Sequence, residues 1–171
     1  MSTKIAVLLD ELVEEREFTY PYYRLKEAGF ESVGIATEKR VFRSKYGMSL
    51  TPDAAIGDVT PAEFGGVIVP GGYAPDHLRR SKEILAFVAA MNRDGELVAM
   101  ICHGGWVGIS AGIVKGRTLT STAAIRDDLT NAGATWVDQS VVVDANLVTS
   151  RSPADLPDFM PAVLKVLAEQ K

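Results

Sequence analysis

The only cysteine of this sequence, Cys102, follows a short apolar run and precedes His103, Gly104 and Gly105. A thiol at the point where a strand meets a helix faces the unpaired N–H groups of the first helical turn. These groups lower its pKa and favour the nucleophilic thiolate. The two glycines let the backbone turn closely and leave room for a substrate oxygen at the amides. The pattern predicts a reactive nucleophile, and a buried, inert cysteine is the alternative that the spacing leaves open.

His77 and His103 are the only histidines, so any imidazole base must be one of them. Residues adjacent in an extended segment rarely face each other, and the sequence therefore leaves open whether His103 contacts Cys102. One cysteine and two histidines lack any recognised spacing of zinc ligands, and no phosphate-binding glycine loop is present. We therefore expect neither a metal nor a bound cofactor.

A group of acids follows the first apolar run, at Glu11, Glu14, Glu15 and Glu17. A carboxylic acid beside a thiolate is pushed toward its protonated form, in which it can donate a hydrogen bond and carry a proton. Glu14 could reach the thiol in this way. For each of these acids, a solvated helix face is the alternative.

Short β-branched runs alternate with helical patterns, which is typical of a parallel sheet covered by helices on both faces. Strands are predicted over residues 4–9, 32–37, 67–70, 97–102, 118–120, 141–143 and 147–149. Helices are predicted up to residue 26 and over residues 75–93, 105–111, 125–132 and 156–169. Pro21 should kink the first helix, and the segment 41–58 is expected to hold a short β excursion.

Ligands of open parallel sheets bind outside the carboxyl ends of the strands. Three predicted strands lead into residues able to do chemistry, namely Asp10, the pair Gly71-Gly72, and Cys102. These segments should lie on one edge of the sheet, although the sequence does not give the strand order. Gly71 and Gly72 could offer backbone N–H groups to an oxyanion, or could form a plain turn.

With 171 residues, of which 47% are hydrophobic, the chain can bury the core of a single domain spanning residues 1–171. Its net charge is −4 with acids and bases mixed, so nucleic acid and anionic membrane are not expected partners. The apolar run near the start is too short for a signal peptide, and that of residues 84–91 is too short to span a bilayer. A cytoplasmic location is therefore expected.

Several long segments together resemble one known family. They include VIVPGGYAPDHLR (67–79), AMICHG (99–104), ISAGIVKGRTLTS (109–121) and IRDDLTNAGATWVD (125–138). These stretches, in this order, are similar to the PfpI-type intracellular protease family, of the superfamily of the Parkinson-associated protein deglycase. The resemblance implies an α/β fold, a flavodoxin-like three-layer sandwich with a mainly parallel central sheet. It also implies a nucleophile elbow with strained backbone at the cysteine.

The resemblance also implies roles for individual residues. Glu14 matches the family's acid and would hydrogen-bond the Cys102 sulfur, and His103 matches the histidine that follows the nucleophile. The amides of Gly72 and His103 would hold an oxyanion. Asp76 falls where the oligomeric proteases have an acid that orients the histidine of a neighbouring subunit. A homodimer, or a hexamer built from dimers, is the implied assembly.

The chain departs from the family pattern at two places. Gly105-Trp106 replaces the usual Pro-Gln, which places a large ring near the mouth of a pocket formed with Gly71, Gly104 and Gly105. Asp76 is one methylene shorter than the glutamate common at its position, which weighs against an intersubunit triad.

Three functions are compatible with these residues, and none of them requires a metal or cofactor. The first is a stress-protective enzyme that acts on small α-oxoaldehydes or glycated proteins through a Cys102 thiolate assisted by Glu14, as a glutathione-independent glyoxalase or deglycase. The second is a peptidase that uses Cys102 and His103, with Asp76 of a neighbour. The third is a non-enzymatic sensor of oxidative stress, because an exposed thiolate is readily oxidised.

Overall fold

A computed structural model describes residues 3–170 of the chain. Its strands are β1 (Lys4–Leu8), β2 (Glu31–Ala36), β3 (Phe42–Arg43), β4 (Ser49–Leu50), β5 (Ala54–Ala55), β6 (Phe64–Val69), β7 (Leu97–Ile101), β8 (Thr118–Leu119), β9 (Thr135–Trp136), β10 (Val141–Asp144) and β11 (Leu147–Ser150). Its α-helices are α1 (Glu15–Glu27), α2 (Ala74–Leu78), α3 (Lys82–Arg93), α4 (Gly105–Ser110), α5 (Arg126–Asn131) and α6 (Leu156–Glu169).

A seven-stranded sheet in the order β10-β11-β7-β6-β1-β2-β5 forms the centre of the molecule. Its neighbouring strands run parallel, except that β10 pairs antiparallel with β11. Helices α1 and α6 pack against each other on one face, and α3 and α4 pack together on the other. Strand β7 is buried along its whole length, as expected for a strand covered on both faces. The predicted sandwich with a mainly parallel sheet is confirmed.

The helical region predicted over residues 75–93 is present, and the structure divides it into two helices. Helix α2 ends at Leu78, and the chain then turns to Ser81, which is the N-cap of α3. The Ser81 hydroxyl accepts a hydrogen bond from the amide of Ile84 at 3.2 Å, which caps the new helix. The short strands of the segment 41–58 are present as β3, β4 and β5, with β3 and β4 forming a hairpin.

The strand order brings three chemical segments together. Strand β6 lies between β1 and β7, so the loops that follow these three strands are neighbours at one edge of the sheet. An isolated bridge joins Val13 to Gly72 across two of these loops. The β3–β4 hairpin is tied to the same edge, because the amide of Lys45 donates to the carbonyl of Val13 at 2.8 Å. None of the helices within residues 3–170 has the length and apolarity needed to cross a membrane.

Candidate active site

Cys102 lies at the turn between β7 and α4 in an unusual backbone conformation. Its φ is +61°, in the left-handed region that residues with a Cβ rarely occupy, at a cost of about 1–3 kcal/mol. The turn fits closely against β6, because a Cβ added at Gly104 would lie 2.5 Å from the carbonyl oxygen of Val69. The strained elbow that the resemblance implied is therefore present.

The acid predicted to meet the sulfur, Glu14, does not do so. Glu14 is the N-cap of α1, and its Oε2 accepts the amides of Arg16 at 3.1 Å and Glu17 at 3.0 Å. Its Oε1 pairs with the guanidinium of Arg16 at 2.7 Å. The carboxylate is folded back onto its own helix, as an N-cap side chain must be. The expectation that Glu14 hydrogen-bonds Cys102 was therefore wrong.

Glu17, one turn further along α1, takes the place expected for Glu14. Its side chain is fully buried, and its Oε2 accepts the amide of Gly71 at 2.7 Å. Its Oε1 has no hydrogen-bond partner, and the carboxyl lies close enough to the thiol of Cys102 for each group to shift the pKa of the other. A Cβ added at Gly71 would lie 2.6 Å from both the Cys102 Cβ and Glu17 Oε2. Glycine at this position is what lets acid and thiol meet.

The surroundings of Glu17 favour its uncharged form. Burial raises the pKa of Glu17 to about 8, against the hydrogen bond from the Gly71 amide, and the nearby charge of Glu14 adds to the rise. At neutral pH the carboxyl therefore keeps its proton. The protonated acid that we expected beside the thiol is therefore Glu17 and not Glu14.

The thiol itself is not activated in the predicted way. Burial, together with the charge of an ionised Glu17, raises the pKa of Cys102 to about 12, although the amides of Gly72 and His103 oppose the rise. The prediction that the helix start lowers this pKa was wrong, because the sulfur lies among buried groups beside an acid. Glu17 and Cys102 titrate as a pair, and the first proton leaves the pair near pH 8.

His103 lies on the other side of the sulfur. Its Nδ1 is 3.3 Å from Cys102 Sγ, which answers the question that the sequence left open. The ring of Trp106 packs edge-on against the imidazole, with ring centroids 5.1 Å apart. The indole Nε1 of Trp106 donates a hydrogen bond to the Asp128 carboxylate at 2.8 Å. Burial lowers the pKa of His103, and the charge of Lys45 lowers it further, so the imidazole is neutral at pH 7.

A cavity of about 650 Å³ opens above Cys102. It is lined by Leu12, Glu14, Arg16, Glu17, Lys45, Tyr46, Gly72, Tyr73, Cys102, His103, Trp106 and Pro153. Of the predicted pocket residues, Trp106 belongs to this lining and Gly71 lies just behind it. Gly104 and Gly105 do not line the cavity, contrary to expectation, because Gly104 fits against β6 and Gly105 against Ile125.

Asp76 is not brought to the thiol within one chain. It lies on α2, half-buried, and pairs with Arg80 one turn further along. Asp10 is also separate from the thiol, since its carboxylate lies 3.4 Å from His77 Nδ1. Neither acid belongs to the cavity lining.

The burial of Glu17 could have been predicted from its position along the helix. Glu17 precedes Pro21 by four residues and Leu25 by eight, and all three lie on the buried face of α1. An acid on the apolar stripe of a helix faces the protein interior rather than solvent. The sequence did not reveal the two cavity residues of the β3–β4 hairpin, Lys45 and Tyr46. Their approach to the thiol depends on how the hairpin packs against the sheet edge.

Comparison with known proteins adds to this geometry. The DJ-1/PfpI family profile matches residues 3–166. The chain is 43% identical over 164 residues to the deglycase PfpI of Pyrococcus furiosus, covering 96% of this chain and 99% of that protein. It is 44% identical over 170 residues to protein/nucleic acid deglycase 2 of Escherichia coli, covering 98% and 99%.

Solved structures agree with the fold. DJ-1beta of Drosophila melanogaster superposes with a TM-score of 0.90 at 28% identity, covering 99% of this chain and 90% of that one. A protein of Anabaena variabilis with DJ-1/ThiJ/PfpI-like and ferritin-like domains superposes with a TM-score of 0.95 at 39% identity. The match covers 98% of this chain and 48% of that protein, so the chain spans about half of its length.

Proposed function

Because the chain belongs to the DJ-1/PfpI family, we propose that it is a deglycase-type enzyme in which Cys102 and Glu17 act together on α-oxoaldehydes and their adducts with amines. The observation that carries this proposal is that the buried Glu17 carboxyl and the Cys102 thiol line the same cavity and lie close enough to shift each other's pKa. Glu17 takes the role that the sequence suggested for Glu14.

The reactive form of the pair carries one proton. When Glu17 holds this proton, the charge lies on sulfur, and the carboxylic acid donates toward it. Cys102 Sγ then forms a bond to the aldehyde carbon, and Glu17 gives its proton to the carbonyl oxygen, which produces a hemithioacetal. With a glycated amine, the bond from carbon to nitrogen breaks instead, and the amine leaves with the proton.

The second half of the reaction moves a proton between carbons. The Glu17 carboxylate, now an acceptor, takes the proton from the former aldehyde carbon and returns it to the neighbouring carbon. The hydroxyl proton passes to the oxygen on that neighbouring carbon, which leaves a thioester of a hydroxy acid. The amides of Gly72 and His103 hold the oxyanion that forms at each stage. Water cleaves the thioester, so the hydroxy acid and the free thiol are the products and no oxidant is consumed.

The direct test measures lactate formation from methylglyoxal by the wild-type protein and a Cys102→Ser variant. We expect the variant to lose activity by about a hundredfold or more, since hydroxyl is a far weaker nucleophile than thiolate. Lactate, rather than loss of methylglyoxal, is measured because protein amines trap the aldehyde reversibly without any catalysis. Equal rates of lactate formation in the two proteins would refute the proposal.

A specific contact favours peptide hydrolysis as a second candidate. The neutral imidazole of His103, 3.3 Å from Cys102 Sγ, can act as a general base toward the thiol. Peptide hydrolysis of this kind needs an assembly in which Asp76 breaks its ion pair with Arg80 and orients His103 of a neighbouring copy. Light scattering together with hydrolysis of a fluorogenic peptide by wild type and Asp76→Asn tests it. A dimer that cleaves no peptide would exclude this candidate.

A further inference from the structure

Two cations border the cavity on the side of the β3–β4 hairpin. The Arg16 guanidinium carbon lies 5.9 Å from the centre of the Tyr46 ring, and Lys45 Nζ lies 5.3 Å from the same centre. The two positive charges therefore share one rim, and both residues line the cavity that holds Cys102.

The two cations differ in how far they are neutralised. Arg16 pairs with Glu14 at 2.7 Å, so its charge is matched by the carboxylate below it. Lys45 has no carboxylate within ion-pairing distance in the part of the chain that the structure describes. Glu15, which approaches the hairpin from α1, accepts a hydrogen bond from the Ser44 hydroxyl at 3.0 Å instead. With Glu17 protonated, the cavity at neutral pH carries one uncompensated positive charge, that of Lys45.

The backbone of Lys45 is held firmly at the rim. Its amide donates to the Val13 carbonyl at 2.8 Å, and the turn is closed by hydrogen bonds between Ser44 and Met48 at 2.9 Å in both directions. The exposed side chain keeps its freedom to reach into the cavity. Its charge acts on the reacting centre, because it contributes to lowering the pKa of the half-buried His103.

We propose that Lys45 is an anion-binding residue that selects substrates carrying a carboxylate close to the reacting carbonyl. This inference assumes the reaction given under the proposed function. It adds the class of substrate, namely adducts of α-oxoaldehydes with molecules that have a free carboxylate. Arg16 contributes less than Lys45, because binding an anion there competes with Glu14.

A pair of alkylating reagents tests this subsite without requiring any enzymatic activity. Iodoacetate and iodoacetamide have nearly the same shape and react at the same sulfur, but only iodoacetate is an anion. The rate of Cys102 alkylation is measured with each reagent at low ionic strength in wild type, Lys45→Met, Lys45→Arg and Arg16→Met. The ratio of the two rates is the readout, because any change in the amount of thiolate affects both reagents equally and cancels.

We expect Lys45→Met to lower the ratio of iodoacetate to iodoacetamide rates by about three- to tenfold, as for a single charge several ångströms away in a partly solvated cavity. Lys45→Arg should keep the ratio, Arg16→Met should change it less, and 0.5 M salt should remove most of the difference. An unchanged ratio in Lys45→Met would overturn the proposal, and so would equal losses with both reagents. A normal iodoacetamide rate shows that the variant is folded.

Turnover of matched adducts separates this proposal from the proposed function. Methylglyoxal adducts of N-acetylcysteine and of N-acetylcysteine amide differ in one carboxylate. Wild type should show the lower KM for the carboxylate, and Lys45→Met should lose this preference with little change in kcat. If neither adduct is turned over while the alkylation ratio still falls, the proposed function fails and the anion subsite stands. If both are turned over with equal KM, the subsite fails and the function stands.

Discussion

Cys102 lies between two side chains that can hold a proton, and the two sides of the sulfur are enclosed differently. On the acid side, Glu17 is fully buried, and its Oε2 is fixed by the Gly71 amide. On the imidazole side, His103 is half-buried, adjacent in the chain, and packed against Trp106 at the cavity wall. Burial pushes both groups toward their neutral forms, since it raises the pKa of the acid and lowers that of the base.

The difference between the two sides explains how a half-buried thiol with a raised pKa can still react. A thiol whose pKa is raised to about 12 is a poor nucleophile if it must lose its proton to water. Glu17 offers another route, because a proton passed from sulfur to its carboxylate leaves the net charge of the pair unchanged. On the open side, His103 lies 3.3 Å from the sulfur and is neutral at pH 7, so it adds no charge to the pair. The enclosed side, that of Glu17, therefore both sets the charge of the sulfur and supplies the acid–base group of the proposed reaction.

Catalysis should depend most strongly on Glu17, on the enclosed side of the sulfur. Glu17→Gln should lower lactate formation from methylglyoxal by about 10²–10⁴-fold, the range for loss of a positioned acid–base group. Glu14→Gln, at the N-cap of the same helix, is the matched control. It should change the rate by only a few fold, since Glu14 caps α1 and pairs with Arg16. Similar losses of activity in the two variants would show that Glu17 is not the specific acid that acts with Cys102.

The same substitution should have the opposite effect on stability. A carboxyl whose pKa rises from 4.5 unfolded to about 8 folded binds its proton more tightly in the folded state. Its contribution is complete below pH 4.5, and is lost as pH rises to about 8, where the buried carboxyl must ionise. Glu17→Gln should therefore raise the free energy of unfolding relative to wild type by roughly 2–4 kcal/mol at pH 9, and by much less at pH 4.5.

Urea unfolding at the two pH values measures this difference. Each comparison is between the variant and wild type at one pH, so the titration of other groups cancels. A stability difference that does not change between pH 4.5 and pH 9 would contradict the raised pKa of Glu17.

The pH dependence of alkylation reports the coupling between the two groups. Because proton transfer within the pair is independent of pH, the iodoacetamide rate at Cys102 should follow loss of the first proton, with a midpoint near the pKa of about 8 of Glu17. A second rise should follow toward the pKa of about 12 of Cys102. Glu17→Gln should show a single step. Identical profiles in the two proteins would show that acid and thiol titrate independently.

The smallest effect is expected at the wall of the open side. Trp106→Phe keeps an aromatic edge against His103 but loses the hydrogen bond from Nε1 to Asp128. We expect kcat/KM for methylglyoxal to change by no more than about fivefold, in line with the loss of one exposed hydrogen bond of about 1 kcal/mol. Trp106→Ala, which removes the ring, should cost clearly more. Equal effects in the two variants would show that the ring does not support His103.

Much of the fold followed from local patterns. Strands β1, β6 and β7 are short, β-branched and apolar, and such runs must be buried in a sheet wherever the chain places them. The break between α2 and α3 was missed, because Ser81 can occupy a helix interior or an N-cap and only the packing chooses between them. The two-stranded pair of β8 and β9 lies outside the main sheet, and no periodicity in two-residue strands could reveal it.

The order of residue types was enough to place a lone cysteine at a strand-to-helix turn, with a histidine beside it and acids after the first strand. Tertiary structure alone decided which acid meets the sulfur, because Glu14 and Glu17 differ by one helical turn and only the docking of α1 on the sheet separates a cap from a buried group. It also decided the protonation state of the pair, since a pKa depends on the water that packing removes. Residue type supplies the proton-binding groups, and burial sets the pH at which they release their protons.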